Sequence, residues 1–453
     1  MSNSKTILSD LAHIRCRRLD RTTLRTSRLL DFCSRKELIA QTGHQPDAWA
    51  LVILKELIDN SLDACEEAGT EPMIAVQVDD TGITVADNGP GIPESTIEDV
   101  LDFTIRVSSR EAYVAPDRGA QGNALKTLVA MPFVLDGERG RVDITANAVK
   151  HRIIFSVDVI RQEPVIAHKT QKVAEKKGTE TCVHWPDLAC LLLRDAKARF
   201  LQIADAYTWL NPHVTLSIDW FGERRTIKAT NPTWAKWGPS DPTSPHWYTP
   251  QHLERLIAGY IAHDQDNGRN RTVREFVSEF RGLSGTAKQK KVLNTTDLHR
   301  APLTSLVSMG RVDIDLVGDL LTAMKTESKP VKPLVLGIIG KEHFKHCFEA
   351  AGCEMESFDY RKVADTTDGV PWVVETAFGW CPDAETRRLI TGVNWSPGII
   401  NPFRELGSFG DSLDTILSQQ RADRDEPVIL VLHMACPRVE YTDRGKSSVV
   451  VQS

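Results

Sequence analysis

The sequence predicts an α+β protein: helices laid on one face of a mixed sheet, then a helical segment, then a second α/β unit. Three observations predict this. Runs with the two-residue apolar alternation of half-buried strands occur at 73–79, 82–87, 142–148, 152–160, 179–185 and 214–220. Helical periodicity separates them at 47–67, 95–103 and 196–210. After a turn-rich break at 229–250 the pattern turns mostly helical over 251–327, and strands return only beyond it.

Taken in order, residues 1–45 read as an amphipathic helical extension running into the helix of 47–67. On that helix Glu56, Asn60 and Asp63 fall at i, i+4 and i+7, so one narrow stripe carries a carboxylate, an amide and a second carboxylate. Leu51, Leu54, Ile58, Leu62 and Cys65 form an opposite stripe suited to packing on a sheet. The polar stripe offers a general base and an oxygen ligand for a hard cation from one helix face. Asp87 stands where the 82–87 run breaks into Asp-Asn-Gly-Pro-Gly-Ile-Pro, a turn whose Gly89 and Gly91 let backbone approach a ligand without a Cβ. Gly119-Ala-Gln-Gly-Asn-Ala-Leu-Lys126 has the composition of a glycine loop that presents backbone N–H groups to phosphates at a helix N-terminus. Gly178-Thr179 opens the next strand.

In the middle segment helices are expected at 250–263 and 272–281, with a Gly-rich connection at 282–285 and a linker at 329–333. The last segment reads as strands at 334–339, 372–379, 392–395 and 427–435, with helices at 343–351, 384–389 and 411–420. The resulting division is 1–235, 245–328 and 333–453, without internal repeats. A chain of 453 residues exceeds a single hydrophobic core, which agrees with two or three domains.

No apolar run approaches the length of a membrane span, and the first residues lack a secretory h-region, so a cytoplasmic protein with no membrane partner is expected. Nine cysteines, odd in number and without a CxxC pair, read as buried reduced thiols and neither a disulfide frame nor a zinc site. The histidines are scattered singly and receive no ligand or catalytic role. Net charge is −6, yet residues 13–36 hold eight Lys/Arg and residues 268–291 hold seven. Each stretch is either a solvated helical face or a contact for nucleic-acid phosphates.

The four motifs in this order resemble the GHKL, or Bergerat-fold, ATPases. Residues 426–449, 371–379, 387–397 and the 245–254 entry are similar to the transducer and helix-two-turn-helix regions of the B subunit of DNA topoisomerase VI. The resemblance implies a Bergerat-type α/β sandwich (1–235), a helical insert (245–328) and a transducer (333–453), with ATP and Mg²⁺ bound. It implies that Glu56 polarises the attacking water, Asn60 binds Mg²⁺, and Asp63 holds a water of that network. Asp87 would accept from the adenine amino group, with Gly89, Gly91 and Thr179 around the base. Arg106 and the loop Gly119, Ala120, Gln121, Gly122, Asn123, Ala124, Leu125 and Lys126 would serve the phosphates. Lys446 matches the switch lysine that reaches the γ-phosphate from the transducer.

The implied activity is that of an ATP-gated homodimeric clamp acting on duplex DNA with a separately encoded A-like cleaving subunit. A stand-alone ATP-operated clamp on DNA or protein is the alternative; a chaperone or MutL-type repair ATPase leaves 426–449 unexplained. A histidine kinase is disfavoured, because no phosphoacceptor-type helix precedes the ATPase region. The sequence departs from the family in a phosphate loop with a less glycine-rich end and an added charge at Lys126. Only seven residues follow Lys446, where the family continues into a long helix gripping the A subunit. No catalytic tyrosine or metal-binding acidic domain is apparent, so DNA cleavage is not expected of this chain.

Overall fold

Thirteen of the nineteen residues of helix Trp49–Glu67 are buried, and the fold is arranged around it. The computed structural model describes residues 34–101, 112–118, 124–158, 160–161, 163–404, 406, 411–442 and 448–449. The first described helix is α1 (Arg35–Thr42), capped by Ser34, whose hydroxyl accepts from the Glu37 N–H. The rest of the predicted N-terminal extension lies outside the described residues.

The central helix, α2 (Trp49–Glu67), lies on an eight-stranded sheet with order β5-β4-β3-β6-β2-β1-β7-β8. These strands are β1 (Met73–Asp79), β2 (Gly82–Ala86), β3 (Gly140–Ala146), β4 (Val149–Asp158), β5 (Glu163–Lys172), β6 (Thr179–His184), β7 (Thr215–Trp220) and β8 (Glu223–Ile227). Every pairing is antiparallel except β1 with β7. Alternation decides the faces. Ile74, Val76, Val78, Ile83, Val85, Val142, Ile144, Ile153, Phe155, Val183, Leu216 and Ile218 are buried under the helices. Four further helices accompany this unit: α3 (Glu94–Leu101), α4 (Ala124–Asp136), α5 (Cys190–Asp195) and α6 (Lys197–Leu210).

Past the 229–250 break, α7 (Pro250–Asp266), α8 (Val273–Ser278), α9 (Thr286–Thr295) and α10 (Ile314–Glu327) form the helical segment, with a short hairpin of β9 (Val307–Ser308) and β10 (Arg311–Val312). Helix α8 begins with a full capping box between Thr272 and Glu275. A five-stranded sheet follows, ordered β11-β12-β15-β13-β14, from β11 (Glu354–Thr367), β12 (Val370–Trp380), β13 (Arg388–Val393), β14 (Ser396–Pro397) and β15 (Val428–Ala435), with α11 (Lys341–Ala350) and α12 (Leu413–Gln419). The helical segment and this sheet share one hydrophobic core, in which Leu253, Phe276 and Leu320 meet Phe344, Val373 and Val431 through Trp209, Trp247 and Trp395.

Three expectations are corrected. The run 334–339 is no strand: Pro333–Val335 makes a single 3-10 turn, and the Ile339 and Gly340 N–H groups bond the buried Glu375 carboxylate at 2.9 and 2.8 Å in place of a ladder. The predicted helix at 384–389 is a turn leading into β13, whose backbone pairs in parallel with β15. The cysteines are not all free thiols either, since Cys353 and Cys381 form a disulfide. They flank Glu354 and Trp380, which are paired across the β11–β12 hairpin, and a sequence separation of 28 hides that proximity. Cys65, Cys182, Cys190, Cys347 and Cys436 are free, with Cys190 exposed and not buried as expected.

Candidate functional site

Helix α2 presents its predicted polar residues unequally. Glu56 is half-buried, and Asn60, one turn on, is exposed. Between and beyond them Asp59, Ser61 and Asp63 are buried, so the simple picture of one polar stripe opposite one apolar stripe does not hold. Almost the whole circumference is in contact with protein, and the helix carries its polar groups into the core wherever a partner meets them.

Asp87 is the best-fixed of these partners. At the end of β2 its Oδ1 accepts from the N–H of Gly89 at 2.9 Å and of Thr179 at 3.1 Å. Its Oδ2 accepts from the Ser61 hydroxyl at 3.1 Å, and its own N–H donates to the Thr179 carbonyl. An ionised carboxylate offers about four acceptor positions. Three are spent on orientation, which leaves one for a ligand donor. Asp87, Gly89 and Thr179 are thereby brought together as expected from the sequence, with Ser61 as a fourth member that sequence reasoning missed.

The glycines here are required by close approach. Gly178 has φ +88°, and a Cβ on it would meet the Asp87 carbonyl oxygen at 1.9 Å. Gly91 has φ +84°, with the Asn147 amide 2.7 Å from where a Cβ would stand; Asn147 in turn donates to the Ile92 carbonyl at 3.0 Å.

Asp63 does not face the same space. Its Oδ1 accepts from Arg118 at 2.7 Å, and Arg118 also grips Glu66 with two bonds of 2.6 and 2.7 Å and donates to Asn211 at 2.6 Å. The guanidinium side chain is 0% exposed. Glu66 further pairs with Lys236 at 2.9 Å and His213 at 2.9 Å. Burial opposes ionisation of Glu66, but Arg118 and Lys236 outweigh it and hold the carboxyl well below its usual range. Burial likewise works against the Arg118 charge, and Glu66 more than restores it. Asp63, expected to hold a metal-bound water, thus also carries an ion pair through its Oδ1. The signal available for Arg118 was its place directly before the glycine loop.

A second joint lies one turn earlier. Asp59 accepts from Lys55 at 2.8 Å, from Tyr207 at 2.8 Å, and from the Ser396 hydroxyl at 2.7 and 2.8 Å. Ser396 belongs to β14, and Asn211 also donates to the Trp395 carbonyl at 2.9 Å. The helix bearing Glu56 and Asn60 is thus pinned to the far sheet through two buried polar contacts.

Of the remaining expected residues, Ala124 and Leu125 open α4 and Lys126 is buried on its first turn. Arg106, Gly119, Ala120, Gln121, Gly122, Asn123 and Lys446 lie outside the described residues. Among the described residues no group of three or more His, Cys, Asp or Glu could hold a metal. The side-chain oxygen of Asn60, exposed beside Glu56, fits Mg²⁺, which takes one or two protein oxygens and fills its octahedron with phosphate and water.

The stretch 268–291 is less available than its composition suggests. Arg271 is buried between Asp264 and Glu279, Arg269 pairs with Glu275, Arg274 donates to Gln289, and Lys288 donates to the Gly282 carbonyl. No helix among the described residues is long and apolar enough to cross a membrane.

Residues 48–187 match the family described as histidine kinase-, DNA gyrase B-, and HSP90-like ATPase. The B subunit of type 2 DNA topoisomerase 6 from Archaeoglobus fulgidus is 23% identical over 426 residues, covering 90% of this chain and 68% of that protein. Its counterpart from Natronomonas pharaonis is 34% identical over 144 residues, 30% of this chain and 18% of its own length. That of Pyrococcus horikoshii is 28% identical over 173 residues, 37% of this chain and 30% of its own. The matched stretch thus spans less than a third of two of these relatives. Among solved structures, the B-subunit of the DNA gyrase from Myxococcus xanthus aligns with 93% of this chain and 90% of its own at 11% identity and a TM-score of 0.39.

Proposed function

Since residues 48–187 match the histidine kinase-, DNA gyrase B-, and HSP90-like ATPases, we propose that this chain binds and hydrolyses ATP with Mg²⁺. We further propose that it acts as the B-type, ATP-gated dimeric half of a type IIB topoisomerase, closing on duplex DNA in the cytoplasm beside a separately encoded A-like cleaving subunit. The observation that carries the ATP reading is Asp87, a buried carboxylate oriented by three donors with one acceptor position left. That position suits the exocyclic amino group of adenine, whereas guanine has a carbonyl there, so the site selects the base. Similarity over 426 residues to the B subunit of a topoisomerase 6, reaching far beyond the ATPase segment, favours this reading over a stand-alone clamp.

The roles follow from position. Glu56 orients a water and takes its proton as it attacks the γ-phosphate. Asn60 would hold Mg²⁺, which when bound neutralises charge on the phosphates. Arg106 and the 119–126 loop would enclose those phosphates. Lys446 would report their presence from the third segment, its ammonium attracted only while a γ-phosphate is there. The parts 1–235, 245–328 and 333–453 would serve as engine, insert and transducer.

The direct test is a pair of variants assayed for ATP binding and turnover. Glu56→Ala keeps ATP binding and loses about 10²-fold or more in hydrolysis. Asn60→Ala weakens binding of Mg-ATP itself. Equal turnover by wild type and Glu56→Ala removes the enzymatic reading.

A further inference from the structure

The face of the eight-stranded sheet turned away from the helices carries a charge arrangement that the nucleotide site does not use. Asp143, at the centre of β3, is buried, and three permanent cations converge on it: Arg141 at 2.6 Å, Lys150 at 3.2 Å and Arg152 at 3.6 Å. His184 stands 3.4 Å away, and its burial and the nearby Arg141 lower its proton affinity, so it adds no fixed charge. One carboxylate neutralises one of three cations and leaves two positive charges in excess. On the next strand Lys169 is the direct cross-strand partner of Arg152. Like charges facing each other across a ladder destabilise it, and among the described residues Lys169 has no carboxylate within ion-pair distance.

These side chains are on the open face because of strand alternation: between Lys150 and Arg152, His151 points inward, as do Ile153 and Phe155 further along β4. Arg141, Lys150 and Arg152 are 37%, 34% and 45% exposed, enough to reach a partner while still touching Asp143. Their neighbours on this face are Ile154, Ala167, Thr145, Gln171, Cys182 and His184, with Glu180 opposite Thr145 and paired with Lys176. Single-strand binding uses Phe, Tyr and Trp side chains as stacking platforms, and none of these stands among the neighbours. A face without Phe, Tyr or Trp and with spaced cations suits the phosphates of a duplex, read without sequence.

We propose that the open face of this sheet, through Arg141, Lys150, Arg152 and Lys169, is a contact surface for the phosphate backbone of duplex DNA. The proposal rests on the reading that the chain acts on duplex DNA and names where. It also relocates the contact from 268–291, whose cations are largely engaged by the protein itself.

The test uses the full chain and labelled duplex DNA of mixed sequence, with anisotropy measured from about 50 to 200 mM salt, a range over which phosphate contacts dominate the change in affinity. Lys150→Gln/Arg152→Gln/Lys169→Gln is expected to bind at least about tenfold more weakly, with a log K against log [salt] slope shallower by about 0.9 per lost contact. Its DNA-free ATPase rate should match wild type. Lys169→Glu alone, at an exposed side chain whose change leaves no buried partner stranded, must also weaken binding, which guards against a folding defect in the triple variant. Wild-type affinity and slope in both variants overturn the proposal and leave the DNA reading standing. Tighter binding of single-stranded than duplex DNA, lost in the same variants, overturns the choice of duplex. Absence of duplex binding by the wild type overturns the DNA reading itself.

Discussion

A single carboxylate shows how residue-scale geometry sets selectivity. Asp87 is held by two backbone N–H groups and one hydroxyl, so its free lone pair points one way without entropy left to lose on binding. Asp87→Asn should lower ATP affinity by about 1–3 kcal/mol, because a charge-assisted acceptor becomes an amide with a misplaced donor. Ser61→Ala should cost about 1 kcal/mol in the same titration, since it removes one orienting bond and none to the ligand. Calorimetry with ATP and GTP checks both; equal affinity of wild type for the two nucleotides would refute the adenine role. Glu56, Asn60 and Asp87 stand out in the sequence because their signals are local, two on one helix and one at a Gly/Pro turn. The ion pair of Asp63 was not legible, because its partner, Arg118, is 55 residues away. Ser61 was invisible because nothing at its own position distinguishes a buried hydroxyl from a solvated one.

At the scale of elements, strands with clean alternation were legible, and those defined by their neighbours were not. Strand β11 is fourteen residues of mostly charged and polar side chains on a sheet edge, so it lacks the apolar alternation that marks a half-buried strand. The 334–339 run is apolar enough for a strand, yet its Val335 and Leu336 N–H groups close a turn onto Lys332 and Pro333, and its Ile339 N–H, with that of Gly340, serves Glu375, which also accepts from Tyr360 at 2.8 Å and so fixes the start of α11. Helix α11 carries a testable pH dependence. His343 donates through Nε2 to the Trp209 carbonyl at 3.0 Å and accepts at Nδ1 from Thr230, which fixes its neutral tautomer. Burial lowers its pKa from 6.5 to about 4. The unfolded chain therefore takes up the proton first: stability is full above about pH 6.5, falls as the pH drops, and levels off below the folded value. His343 alone should cost about 3 kcal/mol by pH 4. Denaturant unfolding at pH 7 and 4.5 should show a smaller acid loss in His343→Gln; identical losses would mean that His343 is not the group responsible.

At the scale of the whole molecule, the proposed coupling between nucleotide and transducer already has fixed points. Asp59 to Ser396 and Arg118 to Asn211 to Trp395 place the third segment against the helix that carries Glu56. A γ-phosphate that draws Lys446 inward would act on this preassembled contact and bias a two-state arrangement. A non-hydrolysable ATP analogue is therefore expected to drive dimerisation and compaction, with ADP failing to do so and Lys446→Ala losing the distinction while keeping ADP affinity. Small-angle scattering with each nucleotide checks this, and equal mass and radius with both would rule out gating. Changes of period and the turn-rich break suggest three segments in the sequence. That the second and third would share one core was not legible there, because Trp247, Phe276, Phe344 and Val431 advertise burial without naming a partner.

The contact of Asp59 with Ser396 has a practical corollary for anyone cutting this chain into pieces. A fragment ending after Ile227 would contain every motif of the nucleotide site that the sequence displays except Lys446, and would look nearly self-sufficient on paper. It would also leave Asp59 without the hydroxyl that bonds both its oxygens, and Glu66 without Lys236. Two carboxylates on the underside of the working helix would then be short of partners, and the helix bearing Glu56 would lose its footing. The smallest piece that keeps this helix fully supported must include the hairpin around Ser396, so the engine and its lever are made, and must be studied, as one part.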